Sequence, residues 1–471
     1  MADLINIITS KPNWETKITD AKIVKKWKSE LVQQNVNEIY LDLVIDLLKQ
    51  YQKSKENEYE DDCDYDWVVE LGVNANDIGI ARDCKCVCNV CQMKERNEND
   101  SDSDDNNDDD TECTCTENKL VTKKRNFMLG FISQNNNLIN PKIKNAFLKN
   151  VVKFQHTVPL DFHPGSNNQV VDLVHPSMYC YVKGVTPTKK TINKNIIFQW
   201  LPSEFNVDNG KVSIKSYINN LDPVNVDLYV SIANIFEKFV PKFEEVMLNS
   251  VNLFIKQNRM IKHGIKKYVP LSKCQVIVKL ADTILTPESS VFPSGSWHLE
   301  GLPYEKIIAT GIYYYEMSNI TQNFLNFRST MTTSADVDYP QDSPKFVETH
   351  YGFDGPAPKD SYGSSDSGSI IDLGQVETKE DLCLVFPNFM QHQVSDFELL
   401  DKNKIGTRKI LVFFLIDPST RILSTIDVKQ QQSTMSASNA QVFRELLMFQ
   451  RKYEISDQSA FFERGWSLCE H

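Results

Sequence analysis

The chain has 471 residues, of which 41% are hydrophobic, 10% aromatic and 24% charged, enough for a sizeable core spread over roughly two to three domains. Its net charge of −12 is concentrated in one place: residues 98–112 (ENDSDSDDNNDDDTE) hold nine carboxylates and no Lys or Arg, and the remaining chain is nearly neutral. No stretch is both strongly basic and aromatic, which argues against nucleic-acid binding, and the longest apolar run, Ile410 to Ile416, is seven residues, far short of a membrane span.

The N-terminus (MADLINIITSKPNW) lacks the basic and apolar regions of a signal peptide. A soluble, cytoplasmic protein is expected. Residues 1–51 read as a helical region, with Ile23, Val24 and Trp27, then Leu41, Val44, Ile45 and Leu48, recurring at helical spacing. Residues 52–120 are a Cys-rich and acidic insertion. Its 98–112 run cannot bury enough apolar area to order itself. Seven of the eleven cysteines crowd into Cys63 to Cys115. The others, Cys180, Cys274, Cys383 and Cys469, are too scattered for a disulfide framework, so a reducing compartment is expected. Within the insertion, Cys84, Cys86, Cys88 and Cys91, followed by Cys113 and Cys115, are candidates for a structural zinc site; a loosely ordered insertion competes with that reading.

Residues 121–271 read as mixed and mainly helical, packing on the core, and 232–257 suggest a helix pair broken or kinked near Pro241. From 272 to 430 the texture is β: QVIVKLADTIL, KIIATGIYYYE, DLCLVFPNF and TRKILVFFLID are short runs separated by Pro, Gly, Asp and Ser segments. Such runs point to a sandwich or jelly roll rather than a parallel sheet. Residues 431–471 return to helix. The fold class is therefore α+β, a jelly-roll core with flanking helices.

The chemistry centres on His298-Leu299-Glu300. On a strand, side chains two apart share a face, so His298 and Glu300 can grip one ion. One such triplet arises by chance in a chain of this composition, so its company matters. His392 lies in FPNFMQHQV, and Arg408 opens TRKILVFFLID. Two imidazoles and one carboxylate leave positions open on a metal, as in non-haem Fe(II) oxygenases, and Arg408 offers a fork of donors suited to a carboxylate. The competing reading makes His298 a strand-edge histidine and Arg408 a surface cation. Tyr313 and Tyr315 share a strand face, and either hydroxyl could reach a co-substrate; Asn319 and Arg328 are weaker substrate candidates. Trp297, opposite His298, is expected to pack in the sheet. His163 and His175 are expected to anchor turns beside proline, with a cavity role as the alternative.

The strings GSWHLEG, IIATGIYYYE, NITQNFLNFR, LCLVFPNFMQHQV and GTRKILVFFLIDPSTRILST resemble domain-of-unknown-function family 4246. The resemblance extends through DFHPGSNNQVVDLVHPSMY, FQWLPSEF and SYINNLDP to KPNWETKITDAKIVKKWKSE, sparing only about 52–120. That family is similar to 2-oxoglutarate/Fe(II)-dependent oxygenases with a double-stranded β-helix (cupin-like) core. The resemblance implies that His298, Glu300 and His392 hold iron and that Arg408 pairs with the distal carboxylate of 2-oxoglutarate. The implied reaction is hydroxylase-type oxidation of a small molecule or a protein side chain, with succinate and CO2 as co-products. A metal-binding cupin-like protein without oxygenase activity and a catalytically idle binding module are the alternatives. Glu300 stands where the commoner oxygenase pattern has Asp. Sixteen positions separate His392 from Arg408, so DFELLDKNKI is expected to loop out.

Deleting residues 98–112 should leave soluble yield and melting temperature nearly unchanged, because a run of charge and Asn makes few packed contacts. A thermal melt of the deletion variant beside the full chain checks this, and loss of folded protein would make the run structural.

Overall fold

The computed structural model describes residues 2–34, 36–56, 131–256, 270–330, 353–356 and 367–462. The seven cysteines from Cys63 to Cys115, the candidate zinc ligands among them, and the acidic run lie outside the described residues. At the N-terminus, helices α1 (Ala2–Thr9), α2 (Trp14–Lys17), α3 (Ala21–Gln33) and α4 (Glu38–Glu56) follow one another. Asp20 caps α3, its carboxylate accepting the Lys22 and Ile23 N–H groups at 2.8 and 3.3 Å. Of the residues the periodicity predicts, Val24 and Trp27 on α3 and Leu41, Val44, Ile45 and Leu48 on α4 are buried and Ile23 is partly buried; Leu31 joins the α3 face.

Strand β1 (Ser133–Asn135) precedes α5 (Pro141–Gln155), which starts as helix chemistry dictates, with Pro141 in the first turn and Asn140 accepting the Ile143 N–H. Five short strands follow: β2 (Val170–Val174), β3 (Tyr181–Val182), β4 (Phe198–Gln199), β5 (Ser203–Asp208) and β6 (Lys211–Ile214). Of the break or kink expected at Pro241, the break is absent: α6 runs from Val226 to Lys256 as one helix with Pro241 inside it. An interior Pro costs about 3 kcal/mol. Phe236, Phe239 and Phe243 around it are fully buried, and each contributes about 1.5–3 kcal/mol, so packing wins. Gly311 makes that packing close, because a Cβ there would meet Phe243 and Phe239 ring atoms at 2.8 and 2.9 Å.

The remaining strands are β7 (Lys273–Leu285), β8 (Val291–Phe292), β9 (Ile307–Ser318), β10 (Asn323–Thr330), β11 (Phe353–Pro356), β12 (Ser367–Thr378), β13 (Cys383–Pro387), β14 (Gln391–Val394), β15 (Phe397–Glu398) and β16 (Gly406–Ile416), followed by helices α7 (Gln431–Thr434) and α8 (Ala437–Phe462). Among the described residues they build a larger antiparallel sheet in the order β1-β13-β9-β16-β7-β5-β6, with β2 also on β7, and a smaller one in the order β11-β12-β10-β14. The architecture is mixed α and β with antiparallel sheets. Alternation along each strand separates two faces. Leu411, Phe413 and Leu415 of β16 pack with α5 and α6, whereas Val412, Phe414 and Ile416 join Leu325 and Phe327 of β10 and Leu373 and Val376 of β12. The second set is the inner layer between the two sheets.

Helix α8 closes the arrangement through charge. Arg451 reaches the fully buried Glu305 at 2.7 and 2.8 Å and lies 3.6 Å over the Trp200 ring. The same carboxylate accepts the Trp200 and Leu302 N–H groups at 2.6 and 2.7 Å. Arg451→Met should therefore lower unfolding free energy by about 3–5 kcal/mol, since it strands a buried carboxylate. Denaturant titration should show Arg451→Lys losing clearly less, because the charge survives while the fork and the stack are lost.

Candidate metal centre

Two extended segments make the centre. Around Glu300, Pro293 and Gly295 before it and Gly301 after it interrupt regular pairing, so the strand expected around His298 is a short ribbon instead. Its anchor is a mutual backbone pair: His298 N–H donates to the His392 carbonyl at 3.2 Å, and His392 N–H donates to the His298 carbonyl at 3.0 Å. Residues opposed in an antiparallel pair carry their side chains to the same face. The two imidazoles consequently lie with ring centroids 4.4 Å apart. On its other side His392 is opposed to Phe327 of β10, an inner-layer residue, and the Phe386 ring of the larger sheet approaches it edge-on at 4.9 Å. The site thus faces inward, between the sheets.

Glu300, two residues after His298, completes the set. Its Oε1 is 3.4 Å from His392 Nε2 and 3.8 Å from His298 Nε2. These separations are wide for a direct hydrogen bond. They are close to the ~3.0–3.4 Å expected between neighbouring ligands each about 2.1 Å from one first-row ion. The tautomer fits as well. His298 Nδ1 lies 2.8 Å from the Ser296 carbonyl, which fixes the proton there and leaves the Nε2 lone pair facing Glu300. Burial pushes Glu300 up, but the facing imidazoles outweigh it and hold the carboxyl well below its usual range. Burial likewise lowers His298, and the facing carboxylate more than offsets it. His392 stays lowered by burial and by the neighbouring His298.

Arg408, the third residue of β16, is buried on the inner face. Its guanidinium lies 5.0 Å over the Tyr314 ring, with one long contact of 3.5 Å to the Tyr314 hydroxyl, and its Nε has no partner among the described residues. Among the described residues no carboxylate pairs with it. The neighbouring Lys409 instead turns outward to Glu316 at 2.8 Å.

The other sequence candidates fall elsewhere. Tyr313 and Tyr315 do share a face, but it is the outer one. The Tyr313 hydroxyl donates to Asp381 at 3.1 Å, and that of Tyr315 to Asp282 at 2.6 Å, with Phe147 of α5 edge-on to Tyr315. Neither faces the metal centre, and the inner-facing tyrosine is Tyr314, beside Arg408. A register shift in the β9–β16 pairing, where Lys409 opposes Glu316 and Ile410 opposes Tyr314, offsets Tyr315 here. Asn319 is structural: its amide donates to the Asp401, Lys404 and Ile405 carbonyls and so folds the loop that spaces His392 from Arg408. Arg328 donates to Gln391 at 2.7 Å and lies 4.7 Å over Trp297, which is half-buried on this cation rather than packed in the sheet.

A second group of metal-ligand types also assembles, His163, Asp172 and His175. Its chemistry differs. His163 Nδ1 is 2.8 Å from Asp172 Oδ2, a hydrogen-bond distance. His175 Nδ1 accepts the Ser177 N–H at 3.2 Å, which puts its proton on Nε2 and withdraws that atom as a ligand. Arg444, bound to Asp161 at 2.6 and 3.0 Å, already brings a cation within 3.9 Å of Asp172. His163 and Arg444 engage Asp172 Oδ2, whereas the buried Asp172 Oδ1 has no hydrogen-bond partner among the described residues.

Models of the family described as "Protein of unknown function (DUF4246)" match residues 115–270 and 255–439, and that of its N-terminal domain matches residues 1–30. The chain belongs to this family. No curated protein matches the DUF4246 chain. Similar solved structures include the Fe(II)/α-ketoglutarate-dependent dioxygenase TqaL (12% identity, 64% of this chain and 88% of that one, TM-score 0.27). IDO from Bacillus thuringiensis has 10% identity over 66% of this chain and 98% of its own, at a TM-score of 0.28. A prolyl hydroxylase from Trichoplax adhaerens, in complex with a hypoxia-inducible-factor peptide, has 11% identity over 66% and 96%, at a TM-score of 0.23.

The two histidine groups should separate in a metal titration of this DUF4246 protein. His298→Ala should lose at least tenfold in Mn(II) or Fe(II) affinity, whereas His163→Ala should leave metal affinity unchanged while lowering the melting temperature.

Proposed function

We propose that the protein is an Fe(II)- and 2-oxoglutarate-dependent oxygenase on a jelly-roll core. One observation carries the reading: a buried Arg408, with no carboxylate partner among the described residues, shares the inner layer with a two-histidine, one-carboxylate donor set. Burying a cation without a counter-charge is costly, so such a residue is kept where an anion arrives. The path of the chain supports the core assignment. After β7 in the larger sheet it runs through the His298 ribbon beside the smaller one, returns to the larger at β9, and enters the smaller again at β10 and β12. It then passes to β13, β14 and β16 in alternation.

His298, Glu300 and His392 would hold the iron, which when bound supplies dioxygen activation coupled to decarboxylation of 2-oxoglutarate. The residues of the chain do the rest. Arg408 receives the distal carboxylate with parallel N–H donors, and Tyr314 limits the rotation of its guanidinium. The Ser296 carbonyl keeps the proton of His298 on Nδ1. Phe327, Phe386 and Phe414 exclude water from the inner layer. The oxidised substrate would be a small molecule or a protein side chain.

The test is succinate formation from 2-oxoglutarate with added Fe(II). Turnover should vanish in His392→Ala. In Arg408→Ala the 2-oxoglutarate requirement should rise about ten- to a hundred-fold, the worth of one charge-assisted pair, with metal retained. Lys409→Ala, on the outer face, should change nothing. Metal retention with no succinate under any condition would leave only a metal-binding cupin-like protein.

A further inference from the structure

Glu300 sits outside the strand ladders, in the turn between the His298 ribbon and β9. Gly301 follows it at φ +75°, and a Cβ there would strike the Ile307 side chain at 2.6 Å. A ligand in such a turn has no sheet to hold its backbone, so something else must aim its carboxylate. The Asn388 carboxamide is placed to do so. Its Oδ1 accepts the Glu300 N–H at 2.9 Å, and its Nδ2 donates to the Glu300 carbonyl at 2.9 Å and to the Ile307 carbonyl at 3.0 Å. Asn388 is 1% exposed, and its own N–H donates to the Ile308 carbonyl at 2.9 Å. Among the described residues no other hydrogen bond reaches the Glu300 main chain.

We propose that Asn388 is a positioning residue, gripping the Glu300 peptide units on both sides and so fixing where the carboxylate points relative to His298 and His392. The proposal rests on the metal-centre reading of those three residues. It gives a function to the Asn of the FPNFMQHQV string, four residues before His392, that the ligand set leaves unused. One side chain thereby ties together the end of β13, the turn that carries Glu300 and the start of β9. Outer groups that orient a ligand commonly affect metal affinity by ten- to a hundred-fold, and a group acting on the backbone of a ligand works through the same directional constraint.

The test uses the full chain and Co(II) as probe, read by visible absorption, with thermal melts alongside. Asn388→Ala should weaken Co(II) binding about ten- to a hundred-fold and alter the ligand-field bands, because the carboxylate no longer approaches from a fixed direction. Asn388→Asp keeps the size but sets a second buried oxygen against the Glu300 and Ile307 carbonyls, so it should weaken Co(II) binding at least as much as Ala; Asn388→Ser, uncharged and too short to span both partners, serves if the Ala variant does not fold. Asn219 is the control: it is equally buried and its amide bridges the Pro176 and Met178 carbonyls, away from Glu300. Asn219→Ala should lower melting temperature with the cobalt bands unchanged. Asn388 variants with wild-type cobalt affinity and bands would overturn the positioning role and leave the metal centre standing. Wild-type protein that fails to bind Co(II) would overturn both.

Discussion

The mutual backbone pair between His298 and His392 is the constraint on which the centre depends. Register in an antiparallel pair decides which face a side chain takes, and a slip of one residue would send one imidazole outward. Here the chain before Glu300 is too rich in Pro and Gly to form a long strand, yet the mutual pair, with Gly295 N–H donating to the Val394 carbonyl and the Gln393 amide donating to the Gly295 carbonyl, holds the ribbon to β14. Glu300 then follows from the period of two, with its backbone held by Asn388 instead of by a ladder. The larger sheet contributes the opposite wall through Phe386 and Phe414 and the buried cation Arg408.

Long-range charge pairs stabilise the framework around this centre. Arg451 and Arg444, seven residues apart on α8, reach Glu305 in the turn after Glu300 and Asp161 beside the His163 group. The helix therefore ties down two loops that have little regular pairing of their own. The extra length between His392 and Arg408 is absorbed without disturbing either. Phe397 and Leu399 pack in a small cluster with Leu285 and Ile320, and Asn319 satisfies the carbonyls of the loop. An insertion that buries its own apolar residues leaves the register of β16 intact.

Much of this was legible in the sequence because it depends on short-range periodicity. The i, i+2 relation of His298 and Glu300, the opposite faces of Arg408 and Lys409, and the antiparallel β texture after residue 272 all follow from alternation. What the sequence could not give is absolute facing. Tyr313, Tyr314 and Tyr315 are chemically alike, so alternation cannot say which of them looks inward, and the register shift beside Tyr315 hides the answer further. Pro241 misled for a different reason: its local cost is fixed, while the compensation comes from aromatic packing against strands far away in the chain. The meeting of His163 with Asp172 and His175 depends on hydrogen bonds and tautomers that spacing does not encode. Asn388 carries no motif, since a carboxamide clamp is recognised only once its two backbone partners are in place.

The central claim is that a single inward-facing centre binds both the metal and the anion. Anomalous diffraction from crystals grown with Mn(II) and 2-oxoglutarate tests it most directly. The account predicts one ion between His298 Nε2, Glu300 and His392 Nε2, with 2-oxoglutarate reaching from it to Arg408. An ion at His163, Asp172 and His175 instead, or a 2-oxoglutarate bound away from Arg408, would contradict it.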